Sequence, residues 1–324
     1  MSADGTPLAV LVTGADGFVG RFVCEVLAHR GYRITAASRG AETRAGSHAY
    51  RRIALDVTGH ADLTPLLEGI DCVVHLAART HVMRDTAAEP LWEYRRINTE
   101  GTARLATAAA RAGVRRFVFL SSIKVNGECT TTRPFNESDE PHPEDAYGLT
   151  KWEAERALRV VEARTGMEVV VLRPPLVYGA GVTANFLRLM QLIARGVPLP
   201  LSAIDNRRSM IFVRNLADAV RACIETPHAA GNTYLASDGV DLSTPDLVRR
   251  LAHAMGVKPR LFAVATSLLA AAGAALGQRA QVSRLTQSLQ VDSTRLREHL
   301  HWKPPYTVEA GFAETAAWFR GLRA

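Results

Sequence analysis

Short runs of apolar residues alternate with longer stretches of helical periodicity through the first half of the chain. Residues 8–13 (LAVLVT) read as a buried first strand, and 18–29 as a helix with Phe18, Phe22, Val23, Val26 and Leu27 on one face. Residues 33–38, 51–55 and 71–76 read as the second, third and fourth strands. Residues 91–112 form one long helical stretch ending at Gly113, a natural C-cap. A fifth strand at 116–120, a long helix at 146–165 stopped by Gly166, and a sixth strand at 168–172 broken by Pro174 and Pro175 complete the regular part. This alternation predicts a parallel sheet covered by helices.

The second half is less regular. Residues 186–194, 215–225, 242–255 and 308–320 read as helices, and 209–213 and 233–235 as strands. The alternation fades near Leu172. That places a soft boundary between a first domain, 1–172, and a smaller second one, 173–324, with segments near 204–225 returning to the first. Residues 261–277 (LFAVATSLLAAAGAALG) are apolar but too short for a comfortable membrane span, so a buried or partly buried helix is expected and membrane contact is not. Residues 1–7 carry no basic segment followed by an apolar run, so no signal peptide is expected.

Composition changes this picture little. The hydrophobic share of 47% and charged share of 22% are those of an ordinary globular protein. Cys24, Cys72, Cys129 and Cys223 are widely spaced with no CxxC pair, which predicts reduced thiols in a cytoplasmic protein and no metal site. The net charge of +7 comes almost entirely from scattered arginines without a basic block, so a nucleic-acid-binding tail is not expected. A basic balance suits a small ligand carrying several phosphates.

Candidate chemistry begins at Thr13-Gly14-Ala15-Asp16-Gly17-Phe18-Val19-Gly20, between the first strand and the first helix. Glycines there permit a tight turn and close approach of backbone to a pyrophosphate, and the helix N-terminus offers free N–H groups. Twenty residues on, where NAD-binding versions place an acidic residue for the ribose 2′-hydroxyl, the chain reads Ala37-Ser38-Arg39-Gly40. Arg39 could pair with a 2′-phosphate, which favours NADP(H) over NAD. Further on, Tyr147 and Lys151 stand four residues apart on one helical face, so the ammonium is expected to lower the phenol pKa and make the pair a proton-transfer device. Ser122 ends the fifth strand, where ligands bind in open α/β sheets.

Together TGADGFVG (13–20), Asp56, HLAA (75–78), Asn98, SSIKVNG (121–127), YGLTK (147–151) and LRPPLVYG (172–179) resemble the extended short-chain dehydrogenase/reductase family over nearly the whole chain. The resemblance implies a Rossmann-type doubly wound α/β sheet with a smaller C-terminal substrate-binding domain. It implies Tyr147 as acid/base, Ser122 as the group holding the substrate oxygen, and Lys151 as the residue that tunes Tyr147 and binds the nicotinamide ribose. The NAD(P) site it implies comprises Gly14, Gly17, Phe18, Val19, Gly20, Arg39, Asp56, Val57, Leu76, Ala77, Ala78, Asn98, Tyr147 and Lys151. Asn185 and Arg208 resemble the family's contacts to a nucleotide-sugar diphosphate, joined by Ser122 and Lys124 in the substrate site. The two long helices imply a homodimer.

Ile123 and Lys124 stand where the family's 4,6-dehydratases carry an Asp-Glu pair, which sets dehydration aside and leaves hydride exchange at C4 of a nucleoside-diphosphate hexose, UDP being the expected nucleotide. The chain is most similar to a subgroup named after UDP-glucose 4-epimerase that includes reductases making UDP-N-acetylquinovosamine for bacterial surface polysaccharide. Asn126 in place of a tyrosine, and the missing ribose carboxylate, favour a 4-keto-sugar reductase, with a UDP-hexose 4-epimerase as the alternative. A non-catalytic cofactor-sensing protein and a small-molecule carbonyl reductase remain as other classes.

Overall fold

The computed structural model describes residues 7–40, 50–80 and 89–322. Among the described residues nine strands follow in chain order: β1 (Ala9–Thr13), β2 (Arg33–Ser38), β3 (Arg51–Ala54), β4 (Cys72–His75), β5 (Arg116–Leu120), β6 (Glu168–Arg173), β7 (Leu176–Tyr178), β8 (Met210–Phe212) and β9 (Thr233–Leu235). Seven pair in the order β3-β2-β1-β4-β5-β6-β9, every neighbour parallel. The strand order reverses between β1 and β4, which opens a crevice at the C-terminal ends of those strands. β7 and β8 form a separate parallel pair. This is the Rossmann-type doubly wound sheet expected from the alternation.

The helices are α1 (Phe18–His29), α2 (Thr64–Leu67), α3 (Pro90–Tyr94), α4 (Gly101–Arg111), α5 (Ala146–Thr165), α6 (Ala184–Ala194), α7 (Val213–Glu225), α8 (Thr244–Met255), α9 (Thr266–Ala275), α10 (Arg279–Thr286), α11 (Thr294–His299) and α12 (Val308–Gly321). Both faces of the sheet are covered, which is why its central strands are continuous apolar runs rather than alternating ones. One face packs Val10, Val12, Val74, Val118 and Val170 against α1 and α7. The other packs Leu11, Val73, Phe117 and Phe119 with Leu105 of α4 and Leu158 of α5. Chain beyond residue 172 returns to this layer twice, as α7 beside α1 and as β9 beside β6.

Two expectations need correction. The helical stretch 91–112 is not one regular helix, because a π-helical turn, Arg95–Glu100, separates α3 from α4. Its wider turn carries Asn98, whose amide is buried and bonded inward, a specific partnership that periodicity does not register. Residues 261–277 are mostly exposed, with only Leu261, Val264 and Leu269 half-buried and Gly273 buried. Within α9 only Gly273 is buried, where its bare Cα lets Val282 of α10 come close. Among the described residues no helix is long and apolar enough to cross a membrane.

At the far end of the sheet Arg116, 1% exposed, ties β5 to α7 by donating to the carbonyls of Cys223, Ile224 and Thr226 and pairing with Glu168. Removing it leaves those buried acceptors without a donor. Arg116→Ala is therefore expected to lower the unfolding free energy by about 3 kcal/mol in a urea titration, with the cleft residues unaltered.

Candidate active site

The glycine turn fits a pyrophosphate. Gly14 sits at φ +67°, and a Cβ there would lie 2.8 Å from the Ala77 amide nitrogen. A Cβ on Gly20 would lie 2.2 Å from the Gly14 carbonyl oxygen, so the first turn of α1 packs on the turn before it only because the residue is glycine. No side chain caps α1 at Gly17, and its first turn holds no acidic residue. Its leading N–H groups and dipole therefore suit an anionic group. Phe18 and Val19 are half-buried beside this turn, Phe18 edge-on to Phe22.

The turn is held by a buried polar chain that sequence reading did not foresee. Thr13 Oγ1 accepts from the amides of Leu76 and Ala77 and lies 2.6 Å from His75 Nδ1. His75 Nε2 lies 2.9 Å from Thr102 Oγ1, which donates to the Asn98 carbonyl. Because the Thr102 proton is committed to that carbonyl, the network assigns the ring proton to Nε2, and Nδ1 accepts from Thr13. Burial, with the Lys151 charge adding to it, pushes the His75 pKa down to about 3 and keeps the ring neutral. Asn98 Oδ1 accepts from the Arg79 amide, while its Nδ2 donates to the Arg79 carbonyl and to Thr150 of α5. The amide thus braces the segment of half-buried Leu76, Ala77 and Ala78 against α5.

At the far rim Asp56 is exposed, accepts from the backbone and hydroxyl of Thr58, and is held below the usual carboxylate range first by those bonds and then by Arg96 and Arg39. Arg39 is thereby placed near Asp56, itself exposed. Asp16 of the glycine turn pairs with Arg52 at 2.7 Å. Val57 turns inward, buried against Gly101, so its side chain packs α4 rather than lining the rim.

The Ser122 turn and the N-terminus of α5 dock by close backbone contact. A Cβ on Gly148 would lie 2.6 Å from the Lys124 carbonyl oxygen. Asp145 caps α5 by accepting from the Gly148 amide at 2.7 Å, and it also pairs with Lys124 Nζ. Ser122 caps the short 3₁₀ turn Ile123–Val125 by accepting from the Lys124 amide. Ile123 itself is core, packed with Leu235, Leu289 and Val291.

Tyr147 and Lys151 share the face of α5 that meets β5, with Lys151 Nζ 5.9 Å from the Tyr147 ring centroid and 4.4 Å from that of Phe119. Nζ donates to the Leu120 carbonyl at 2.7 Å, which anchors it beside the Ser121–Ser122 segment. Burial pushes the Lys151 pKa down to about 7, with Glu155 opposing the shift. In the protein alone the Tyr147 phenol is raised, first by burial and then by Asp145 and Tyr94, not lowered as the sequence spacing predicts. The physical reason is that burial penalises the phenolate more than a distant, partly deprotonated amine helps it. Both shifts have one cause: burial favours the uncharged form of each group.

Behind this pair lies a second unforeseen group. Glu155, one turn beyond Lys151, is buried and takes a bidentate ion pair from Arg173, also buried, and a hydrogen bond from the Ser121 hydroxyl. Arg173 Nη1 reaches Asn126 Oδ1 at 2.9 Å, and Asn126 Nδ2 donates to the Asn136 carbonyl. The repeat Tyr147, Lys151, Glu155 at steps of four is visible in the sequence; its partner Arg173 is not, because the contact spans α5 and β6.

The expected substrate residues are less closely joined. Lys124 pairs with Glu128, whose charge also acts on Arg208. Arg208 is half-buried, its pKa lowered by burial and by Arg284, and it donates to the Gln287 carbonyl at 2.9 Å. Asn185 is exposed in the first turn of α6, after Ala184 at φ +54°.

Residues 10–236 match the model of the NAD dependent epimerase/dehydratase family. The chain is 43% identical over 316 residues to a UDP-glucose 4-epimerase of Vibrio cholerae, covering 97% of this chain and 96% of that protein. The solved structure of MoeE5 in complex with UDP-glucose and NAD superposes with a TM-score of 0.76 at 27% identity, covering 98% of this chain and all of that one. That of UDP-glucuronic acid 4-epimerase from Bacillus cereus in complex with NAD gives a TM-score of 0.79 at 20% identity, over 98% of this chain and all of that one, a likeness of fold.

Gly148→Ala is expected to push α5 off the Ser122 turn and cost about 100-fold in kcat while the protein stays folded, checked by turnover beside circular dichroism. The depressed Lys151 pKa also has a stability signature. The unfolded chain holds the lysine proton up to its ordinary value of 10.5, while the folded chain releases it near 7. Between these values the unfolded state binds more protons, so the Lys151 contribution to stability rises with pH. The difference in urea stability between wild type and Lys151→Met should therefore grow in favour of wild type from pH 7 to pH 10.

Proposed function

This chain belongs to the NAD dependent epimerase/dehydratase family, and from that premise we propose that it is a UDP-hexose 4-epimerase. The observation that carries the reading is the docking of α5 on the Ser122 turn, which sets the helix bearing Tyr147 and Lys151 against the segment bearing Ser122. The 43% likeness to a UDP-glucose 4-epimerase supports epimerisation over the one-way keto-sugar reduction favoured by the sequence alone. Asn126, one reason for that preference, is bonded to Arg173 and to the Asn136 carbonyl, so packing accounts for its identity.

A bound nicotinamide cofactor supplies the acceptor and donor of hydride at C4. Ser122 holds the C4 oxygen, Tyr147 takes the hydroxyl proton and later returns it, and Lys151 stabilises the phenolate and offers its remaining protons to the ribose. Gly14, Gly17 and Gly20 hold the pyrophosphate with the amides of α1, and Asp56 takes the adenine end. Arg208 grips the sugar diphosphate through its guanidinium, with Lys124 and Asn185 contributing to the same site. We assign NAD to this cycle, with Arg39 as the group that would admit a 2′-phosphate. Exposed Trp92 on α3 and Val160 on α5 support a homodimer through these helices.

The test is incubation of UDP-glucose with purified protein and no added reductant. UDP-galactose should appear without net change at 340 nm, and the nucleotide released on denaturation identifies NAD or NADP. Tyr147→Phe is expected to lower the rate by roughly 10³-fold with cofactor still bound. Stoichiometric NADPH consumption with a 4-keto sugar, and no interconversion, would establish the reductase instead.

A further inference from the structure

The chemistry above leaves one surface unused. The segment 261–285 rises from the second half of the chain as a hairpin of α9 and α10, packed on itself where Val282 meets Gly273. From Thr266 to Ala275 it carries no charged residue, and Leu268 and Leu269 precede a run of alanines. A helix apolar on every side belongs in a core. Here Leu268 is 63% exposed, Leu276 73% and Phe262 47%. Exposed apolar side chains grouped on one hairpin suit an interaction site.

Its surroundings select the partner. No aspartate or glutamate occurs between Asp246 and Asp292, and Lys258, Arg260, Arg279 and Arg284 are all exposed around the hairpin. A second copy of this surface would bring these like charges together. An anionic lipid surface takes both features at once, with apolar side chains entering the headgroup boundary and basic ones pairing with phosphate. Ten residues of helix span about 15 Å, half the thickness of a hydrocarbon core, so α9 lies in the interface and does not cross it. We propose that this hairpin docks the enzyme on an anionic phospholipid bilayer. The docked surface continues directly into the candidate diphosphate site: the Leu285 and Gln287 carbonyls accept from Asn206 Nδ2, and Gln287 also from Arg208.

Sedimentation of the full-length protein with phospholipid vesicles tests this. Vesicles of phosphatidylcholine with about one-third phosphatidylglycerol should bind at least tenfold more tightly than phosphatidylcholine alone, and added salt should weaken that binding. Leu268→Glu with Leu276→Glu, and separately Arg279→Glu, should each weaken it by about tenfold or more, with soluble-substrate turnover and oligomeric state unchanged. Equal binding by wild type and variants, or no binding of wild type to anionic vesicles, overturns the proposal. So does a dimer in solution that dissociates on the leucine substitutions, which assigns the surface to a second copy. Sedimentation is read without substrate, so its failure is distinct from failure of the epimerase reading, and an unchanged circular dichroism spectrum shows that the variants are folded.

Discussion

The buried ion pair between Glu155 and Arg173 is the constraint on which the site rests. It joins the helix carrying Tyr147 and Lys151 to the end of β6, and through Ser121 and Asn126 it reaches both ends of the turn that carries Ser122. Taking two charges out of water is costly, and such a pair rarely contributes much net stability. Here the hydrogen bonds that leave the pair end on Ser121 and Asn126, which flank the Ser122 turn. The guanidinium fork and the carboxylate fix direction as well as distance, which an apolar replacement could not.

The same economy of position governs the proposed proton-transfer groups, Tyr147 and Lys151. Lys151 is buried with a backbone carbonyl as its anchor, and Tyr147 is held where water gives its anion little help. The carboxylate of Glu155 is the nearby charge that opposes loss of the lysine proton. Burial thus holds the Tyr147 phenol on its protonated side, while Lys151 sits between the cost of burial and the attraction of Glu155.

Local sequence carried what is local. Strand and helix order, the glycine turn and the Tyr147–Lys151 spacing follow from periodicity and from the special conformations of glycine, and the structure places these elements in the expected order. Contacts between elements far apart in sequence were not legible. Gly148 reads as an unremarkable helix residue until the Lys124 carbonyl is found against it, and His75 reads as part of a strand until Thr13 and Thr102 close on it. The segment 261–277 is more exposed than its apolar run suggests, though Leu261 and Leu269 do pack on the core. Its composition records affinity for an apolar medium, and composition does not say whether that medium is the protein's own interior.

The cluster of apolar side chains on the α1 face of the sheet does not stop at the second half of the chain. Val10 and Val12 of β1, Phe186 of α6, Leu216 of α7, Leu251 of α8 and Phe312 of α12 belong to one uninterrupted core. Rotating one half against the other would tear that core and expose close-packed surface to water, so a hinged clamshell is not an available motion. Entry and exit of ligands must then be handled by rearrangement of short surface segments, leaving the frame rigid through each turnover.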